Sequence, residues 1–365
     1  MRSLSDRLSQ ANALLTPYAV PHGGGLGRAF PESDDATRFP LQRDRDRIIH
    51  TQAFRRLKHK TQVFVSGHGD HYRTRITHTL EVAQISRDIA RTLGLNEDLA
   101  EAIALAHDLG HTPFGHAGEE AMRACMEKCG KTFEHNEQSL RIVTVLEDRT
   151  SKYSGLNLSC EILEGLMKHR TPHDVPKHDA LPRSPTLEAQ VVNLADEIAY
   201  TAHDTDDGFR AGLFTLEETC KTVLGALAAK KTKDRRTELR GAIVDLLVSD
   251  LYAETESQIA TSSVLSLEDV YRASDPLVVF SPMMTENLSE LRTFLWDHLY
   301  KSDAVQTQAR HGQSVIVDLF SAYMKKPPAK VLELRKKTGG ALEEAIKDYI
   351  AGMTDPFALQ MYEKL

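Results

Sequence analysis

The sequence is short of the features that would commit it to several large protein classes. Its four cysteines, Cys125, Cys129, Cys160 and Cys220, form no CxxC pair. Neither a zinc ribbon nor a disulfide framework is indicated, and a reducing compartment is expected. Cys125 and Cys129 share a helical face, where small core residues account for them better than a metal site does. No stretch approaches the roughly 20 apolar residues of a membrane span, and the first thirty residues hold no continuous apolar segment. The expectation is a soluble cytoplasmic protein with no membrane partner. Basic residues are not in excess, with 45 Lys and Arg against 52 Asp and Glu and a formal charge of −7. That argues against wholesale electrostatic binding of nucleic acid, while leaving room for a local basic pocket. The glycine run Gly23-Gly-Gly-Leu-Gly27 lacks the Lys-Ser/Thr of a phosphate-binding loop. No internal repeat is evident, and no strong hairpin signal competes with a helical reading.

What is present is a core and a biased histidine distribution. At 365 residues and 41% hydrophobic the chain can bury a sizeable interior in one large domain or two. Of 16 histidines, 14 lie at or before position 203, so metal chemistry belongs in the first two hundred residues. The pattern predicts a helix capped by Thr77 with an apolar stripe of Val82, Ile85, Ile89 and Leu93, stopping at Gly94. A second helix follows Asn96 and brings Leu99, Ile103, Ala106 and His107 into line, ending near Gly110. A third begins after Pro185, with Val192 one turn before Asp196. The fold class expected is all-α. Residues 1–42 read as a flexible lead-in, 43–210 as the core that carries most of the histidines, and 211–365 as a helical C-terminal region packed on it. The segment from Lys168 to Pro185, with four prolines, reads as a long exposed loop whose His169, His173 and His178 are not ligands. The basic run Lys230 to Arg236 reads as a solvated helix junction, without the interleaved aromatics of a nucleic-acid patch.

The densest chemistry lies in Ala104-Leu-Ala-His-Asp-Leu-Gly-His-Thr-Pro-Phe-Gly-His116. The adjacent His107 and Asp108, with His78 and Asp196 on two other helices, form a candidate ligand set facing inward. Two buried carboxylates require cationic neutralisation. Mixed imidazole and carboxylate donors suit Mn²⁺ or Mg²⁺, with Fe²⁺ or Co²⁺ as alternatives. Around them stand His111, His116, Glu119 and His135, residue types that hold or move a proton beside a phosphate. A cationic approach precedes the first ligand: Arg43, Arg45, Arg47, Arg55, Arg56, Lys58 and Lys60 face only Asp44 and Asp46. It is expected to hold a polyphosphate.

The order His78, His107-Asp108, Asp196 resembles the HD metal-dependent phosphohydrolase superfamily. Three further stretches sharpen the likeness: Arg43 to Phe64, with Arg-Asp-Arg-Asp-Arg-Ile-Ile-His-Thr-Gln-Ala-Phe-Arg-Arg-Leu, then Glu134-His-Asn136, then Leu194-Ala-Asp-Glu-Ile-Ala-Tyr200. With them the chain resembles the bacterial deoxyguanosinetriphosphate triphosphohydrolases in their shorter branch. Its core motifs are also similar to those of the vertebrate SAM- and HD-domain dNTP hydrolase. The specific motifs span roughly 43–210, and Asp348-Tyr-Ile-Ala-Gly-Met-Thr-Asp355 extends the match towards the end. The resemblance implies hydrolysis of a deoxynucleoside triphosphate to deoxynucleoside and tripolyphosphate. It implies that His78, His107, Asp108 and Asp196 hold the metal, and that His116 with Glu119 is catalytic, assisted by His111 and His135. Gln62 and Asp204 would recognise the sugar 3′-hydroxyl, Tyr200 would pack on C2′, and Arg75 would contact phosphate. Pro356 stands where a basic residue is expected. By resemblance the chain would be a homo-oligomer, a hexamer or tetramer, with nucleotides or single-stranded DNA as effectors. Two other readings stay open: an HD-type nucleotidase acting on monophosphates, and a catalytically silent regulator that binds nucleotide or single-stranded DNA.

Overall fold

A computed structural model describes residues 3–62, 73–168, 184–235 and 238–365. Among them the regular structure is helical, and the only β-type pairings are three isolated bridges. The fold is all-α, as the periodicity required. His169, His173 and His178 lie outside the described residues, as does the Arg236 end of the basic run.

Three helices frame the centre. Arg75–Thr92 buries Val82, Ile85 and Ile89 along one stripe. Its cap is Thr74 rather than the expected Thr77, which sits in the first turn with its hydroxyl donating to the Thr74 carbonyl at 2.8 Å. Glu97–Ala106 is capped by the Asn96 side chain, which accepts from the amides of Asp98 and Leu99. Leu187–Arg210 is capped by Thr186, accepting from Ala189. These three pack against one another and, with Leu99, Ile103, Val191, Val192 and Ile198 wholly buried, hold the main core. Each such side chain contributes about 1.5–3 kcal/mol relative to exposure, so polar side chains on the same inner face are held in a dry, rigid setting.

Residues 3–42, read from composition as a flexible lead-in, carry the helix Leu4–Asn12 and run onto the core. Val20 is wholly buried and its amide donates to Glu188 Oε1 at 2.9 Å. The amide of Leu26 donates to Glu161 at 2.7 Å, and Arg28 meets Asp44 at 2.8 Å. Two of these three ties use backbone amides, which composition does not reveal.

The C-terminal region forms a second apolar cluster. Val315, Ile316, Leu319, Ile346 and Ile350 pack with Met122 and Met126 of the helix Gly115–Glu127. Cys125 lies within this cluster as a small core residue, and Cys129 packs against it. No helix among the described residues is long and apolar enough to cross a membrane.

Candidate metal and phosphate site

His78 faces inward from the first turn of Arg75–Thr92, and Asp196 from the third turn of Leu187–Arg210. His107 and Asp108 follow directly on the end of Glu97–Ala106. All four are buried. His78 Nε2 lies 2.9 Å from Asp196 Oδ1 and 3.9 Å from Asp108 Oδ2. His107 Nε2 lies 3.4 Å from Asp108 Oδ1 and 3.7 Å from Asp196 Oδ1. Ligand atoms each about 2.0–2.2 Å from one ion stand roughly 3.0–3.5 Å from one another. The ligand atoms of His78, His107 and Asp108 all lie within 4.8 Å of one another and could hold one cation, with Asp196 beside the two imidazoles. His107 Nδ1 donates to the Ala104 carbonyl at 2.6 Å. That fixes the tautomer and leaves the Nε2 lone pair facing the carboxylates. Burial alone would lower the His107 pKa, but Asp108 and Asp196 outweigh it and raise it to about 9. The pocket therefore favours positive charge at that edge, which a divalent cation supplies in competition with the proton.

The second layer converges on Glu119. It accepts from the His135 backbone amide at 3.0 Å and lies 3.1 Å from His135 Nδ1. His111 Nδ1 is 3.5 Å away and His116 Nδ1 4.0 Å. Burial would raise this carboxyl, yet the surrounding histidines, His135 foremost, hold it well below the usual range. His111 stacks on His135 with ring centroids 3.9 Å apart, and its Nε2 is 3.1 Å from Asp108 Oδ1. One carboxylate thus aligns three imidazoles beside the metal set. Close packing makes this possible at Gly110, where an added Cβ would overlap the His135 carbonyl and the Ser139 amide.

Arg75 is wholly buried and its Nη1 donates to Asp108 at 2.8 Å, whereas its Nε and Nη2 have no hydrogen-bond partner among the described residues. Unpaired buried guanidinium donors are rare, because each costs about 1–3 kcal/mol. They fit a phosphate oxygen, which takes such donors in pairs. An inner cavity of 40 Å³ is lined by Arg75, the metal set apart from His107, the histidines 111, 116 and 135, and by Gln62, Tyr200, Asp204 and Tyr300. Beside it lies a vestibule of 340 Å³ that includes Trp296, Gln306, Gln308 and Gln313. Gln62, His116 and Tyr300 line both spaces. His116, half exposed at 51%, stands at that junction.

All twelve residues singled out from the sequence therefore gather around one centre; of them only His107 and Glu119 do not line the inner cavity, and Glu119 lines the vestibule. The cationic approach does not join them. Arg43 pairs with Glu32, Arg45 with Asp46 and Glu101, and Arg47 with Asp44 and Glu32. Arg56 donates to the Gly352 carbonyl and Lys60 to those of His111 and Ala351. Arg43, Arg45 and Arg47 are used for structure, neutralised by Glu32 upstream and by Asp98 and Glu101 on a later helix. Two site residues escaped the sequence reading. His203 meets His78 edge-on at 5.6 Å and pairs with Glu81; its spacing of seven from Asp196 on one helix face was the available signal. Tyr300, whose hydroxyl donates to Asp204, lies 96 residues away and offered none.

Comparison with known proteins agrees with this geometry. The HD domain family matches residues 75–201, and the phosphohydrolase-associated domain family matches 278–364. A deoxyguanosinetriphosphate triphosphohydrolase-like protein of Thiobacillus denitrificans (strain ATCC 25259 / T1) is 45% identical, covering 96% of each chain. One of Geobacter sulfurreducens (strain ATCC 51573 / DSM 12127 / PCA) is 45% identical over 100% of this chain and 97% of its own. One of Bradyrhizobium sp. (strain ORS 278) is 44% identical over 96% and 95%.

Proposed function

The chain belongs to the deoxyguanosinetriphosphate triphosphohydrolase-like family of HD-domain phosphohydrolases, and from that premise we propose that it hydrolyses deoxynucleoside triphosphates to deoxynucleoside and tripolyphosphate. The observation that carries the reading is the meeting, in one cavity, of the metal-type donors, the spare donors of Arg75 and the sugar-facing set Gln62, Tyr200 and Asp204.

In this reading His78, His107, Asp108 and Asp196 would hold a divalent cation, Mn²⁺ or Mg²⁺ with Fe²⁺ or Co²⁺ as alternatives, and when bound it would supply Lewis-acid charge beside the α-phosphate and a lowered pKa for water. Arg75 binds an α-phosphate oxygen through Nη2. His116, at the junction of cavity and vestibule, holds the proton that passes to the 5′-oxygen as the bond from phosphorus to that oxygen breaks. Glu119 keeps His135 and His111 oriented beside it. Gln62 and Asp204 take the sugar 3′-hydroxyl, and Tyr200 fills the space beside C2′. Assaying the four dNTPs, singly and mixed, with Mn²⁺ and with Mg²⁺ tests the proposal by deoxynucleoside release. Turnover of deoxynucleoside monophosphates alone, or nucleotide binding without turnover, would replace it.

A further inference from the structure

No residue of the motif Asp348-Tyr-Ile-Ala-Gly-Met-Thr-Asp355 lines the inner cavity, yet both its acidic residues are buried. Asp355 accepts from two backbone amides, Thr61 at 3.0 Å and Phe114 at 3.1 Å. Thr61 precedes Gln62. Phe114 is a left-handed residue, φ 65°, that opens the helix Gly115–Glu127, with His116 on its second position. A non-glycine residue holds that conformation only where its surroundings over-determine it. Asp348 accepts from Arg141 Nη2 at 2.8 Å and from Gln138 Nε2 at 3.1 Å. Both donors lie on His135–Arg141, the helix that begins with His135. Between the two acids, the Ala351 carbonyl accepts from buried Lys60 at 2.8 Å, and the same ammonium donates to the His111 carbonyl at 2.5 Å. Three chain segments carrying Gln62, His111 and His116, and a helix carrying His135, are thus pinned from one short stretch of the C-terminal region.

We propose that residues 348–355 form a clamp that sets the relative position of the catalytic histidines, with Asp348 holding the His135 side and Asp355 the His116 side. The inference rests on the reading above, in which those histidines serve the phosphate. Both acids are positioning residues and touch no substrate. Carboxylates are required because each buried acid faces only donors. An asparagine of the same shape would keep one acceptor and turn an N–H₂ towards a donor.

The test compares Asp348→Asn and Asp355→Asn with the wild-type protein, each loaded with Mg²⁺. Turnover is measured together with metal content, Tm and the imidazole N–H proton signal of His135 in the absence of substrate. A displacement of about 1 Å costs on the order of 10²-fold in rate. The expected result is that loss in kcat, with KM and bound metal near wild-type values and a shifted His135 signal in Asp348→Asn. Lys337→Ala, which removes an exposed contact to Asp148 in the same region, should leave kcat unchanged. Folded, metal-loaded variants with wild-type kcat and an unmoved His135 signal would overturn the clamp. So would a rate loss no larger than the loss of folded protein. If the wild-type protein turns over no dNTP, the functional reading fails while the His135 signal still decides the clamp. Should one variant not fold, the other answers alone.

Discussion

The hydroxyl of Tyr300 donates to the carboxylate of Asp204 across the inner cavity, joining the C-terminal region to the helix that carries Asp196. Burial raises Asp204 to about 7 even with that donor in place. Tyr300→Phe leaves a buried carboxyl short of a partner, a deficit of about 1–3 kcal/mol. The variant is expected to lose roughly 10-fold in kcat/KM for a dNTP, since 1.4 kcal/mol is tenfold. It should also discriminate less sharply against 2′,3′-dideoxy substrates. An unchanged dNTP to ddNTP ratio would remove Asp204 from sugar recognition.

Tyr200 stands one turn beyond Asp196 and one before Asp204, and all three line the inner cavity. An aromatic ring beside C2′ leaves a ribose 2′-hydroxyl without space or partner. Tyr200→Ala should narrow the preference for dGTP over GTP in kcat/KM by roughly 10-fold. Equal selectivity in a folded, metal-binding variant would place sugar discrimination elsewhere.

The parts of this site that were legible in the sequence are those set by one helix at a time. His78, His107-Asp108 and Asp196 could be placed inward because each continues an apolar stripe of period 3.6. The cap of the first helix was misplaced by one turn, since Thr74 and Thr77 are both acceptable residues there. What could not be read depends on partners distant in the chain. Arg43, Arg45 and Arg47 look like an anion site until Glu32, Asp98 and Glu101 fold against them. Tyr300 reaches Asp204, and Asp355 reaches Phe114, only through the packing of the C-terminal region on Gly115–Glu127.

In the proposed metal set Asp196 is one of two carboxylates, at 2.9 Å from His78 Nε2. Asp196→Ala should abolish tight divalent binding and turnover while the helical circular dichroism persists, because the remaining donors carry one negative charge against two positive. Metal analysis after desalting checks this. Near-stoichiometric metal in the variant would mean that the ligands are misassigned.

Glu188 offers a pH test of the fold. It is wholly buried and accepts from the amides of Val20 and Asn96 through Oε1. Burial raises it from 4.5 to about 7. Below pH 4.5 it is protonated in both folded and unfolded chains. Between about 4.5 and 7 the folded chain binds more protons, so its stability falls as pH rises, by on the order of 3 kcal/mol. Glu188→Gln removes that dependence. The Tm of the variant relative to wild type should therefore climb across this window and level off above it. A constant difference would show that Glu188 titrates normally.

In the proposed reaction water attacks the α-phosphorus and the bond to the 5′-oxygen breaks. Hydrolysis of dGTP in ¹⁸O-labelled water, followed by ³¹P NMR and mass spectrometry, tests it directly. Intact tripolyphosphate carrying the label and an unlabelled deoxynucleoside are expected. Orthophosphate or pyrophosphate as the first inorganic product, or label in the nucleoside, would contradict it.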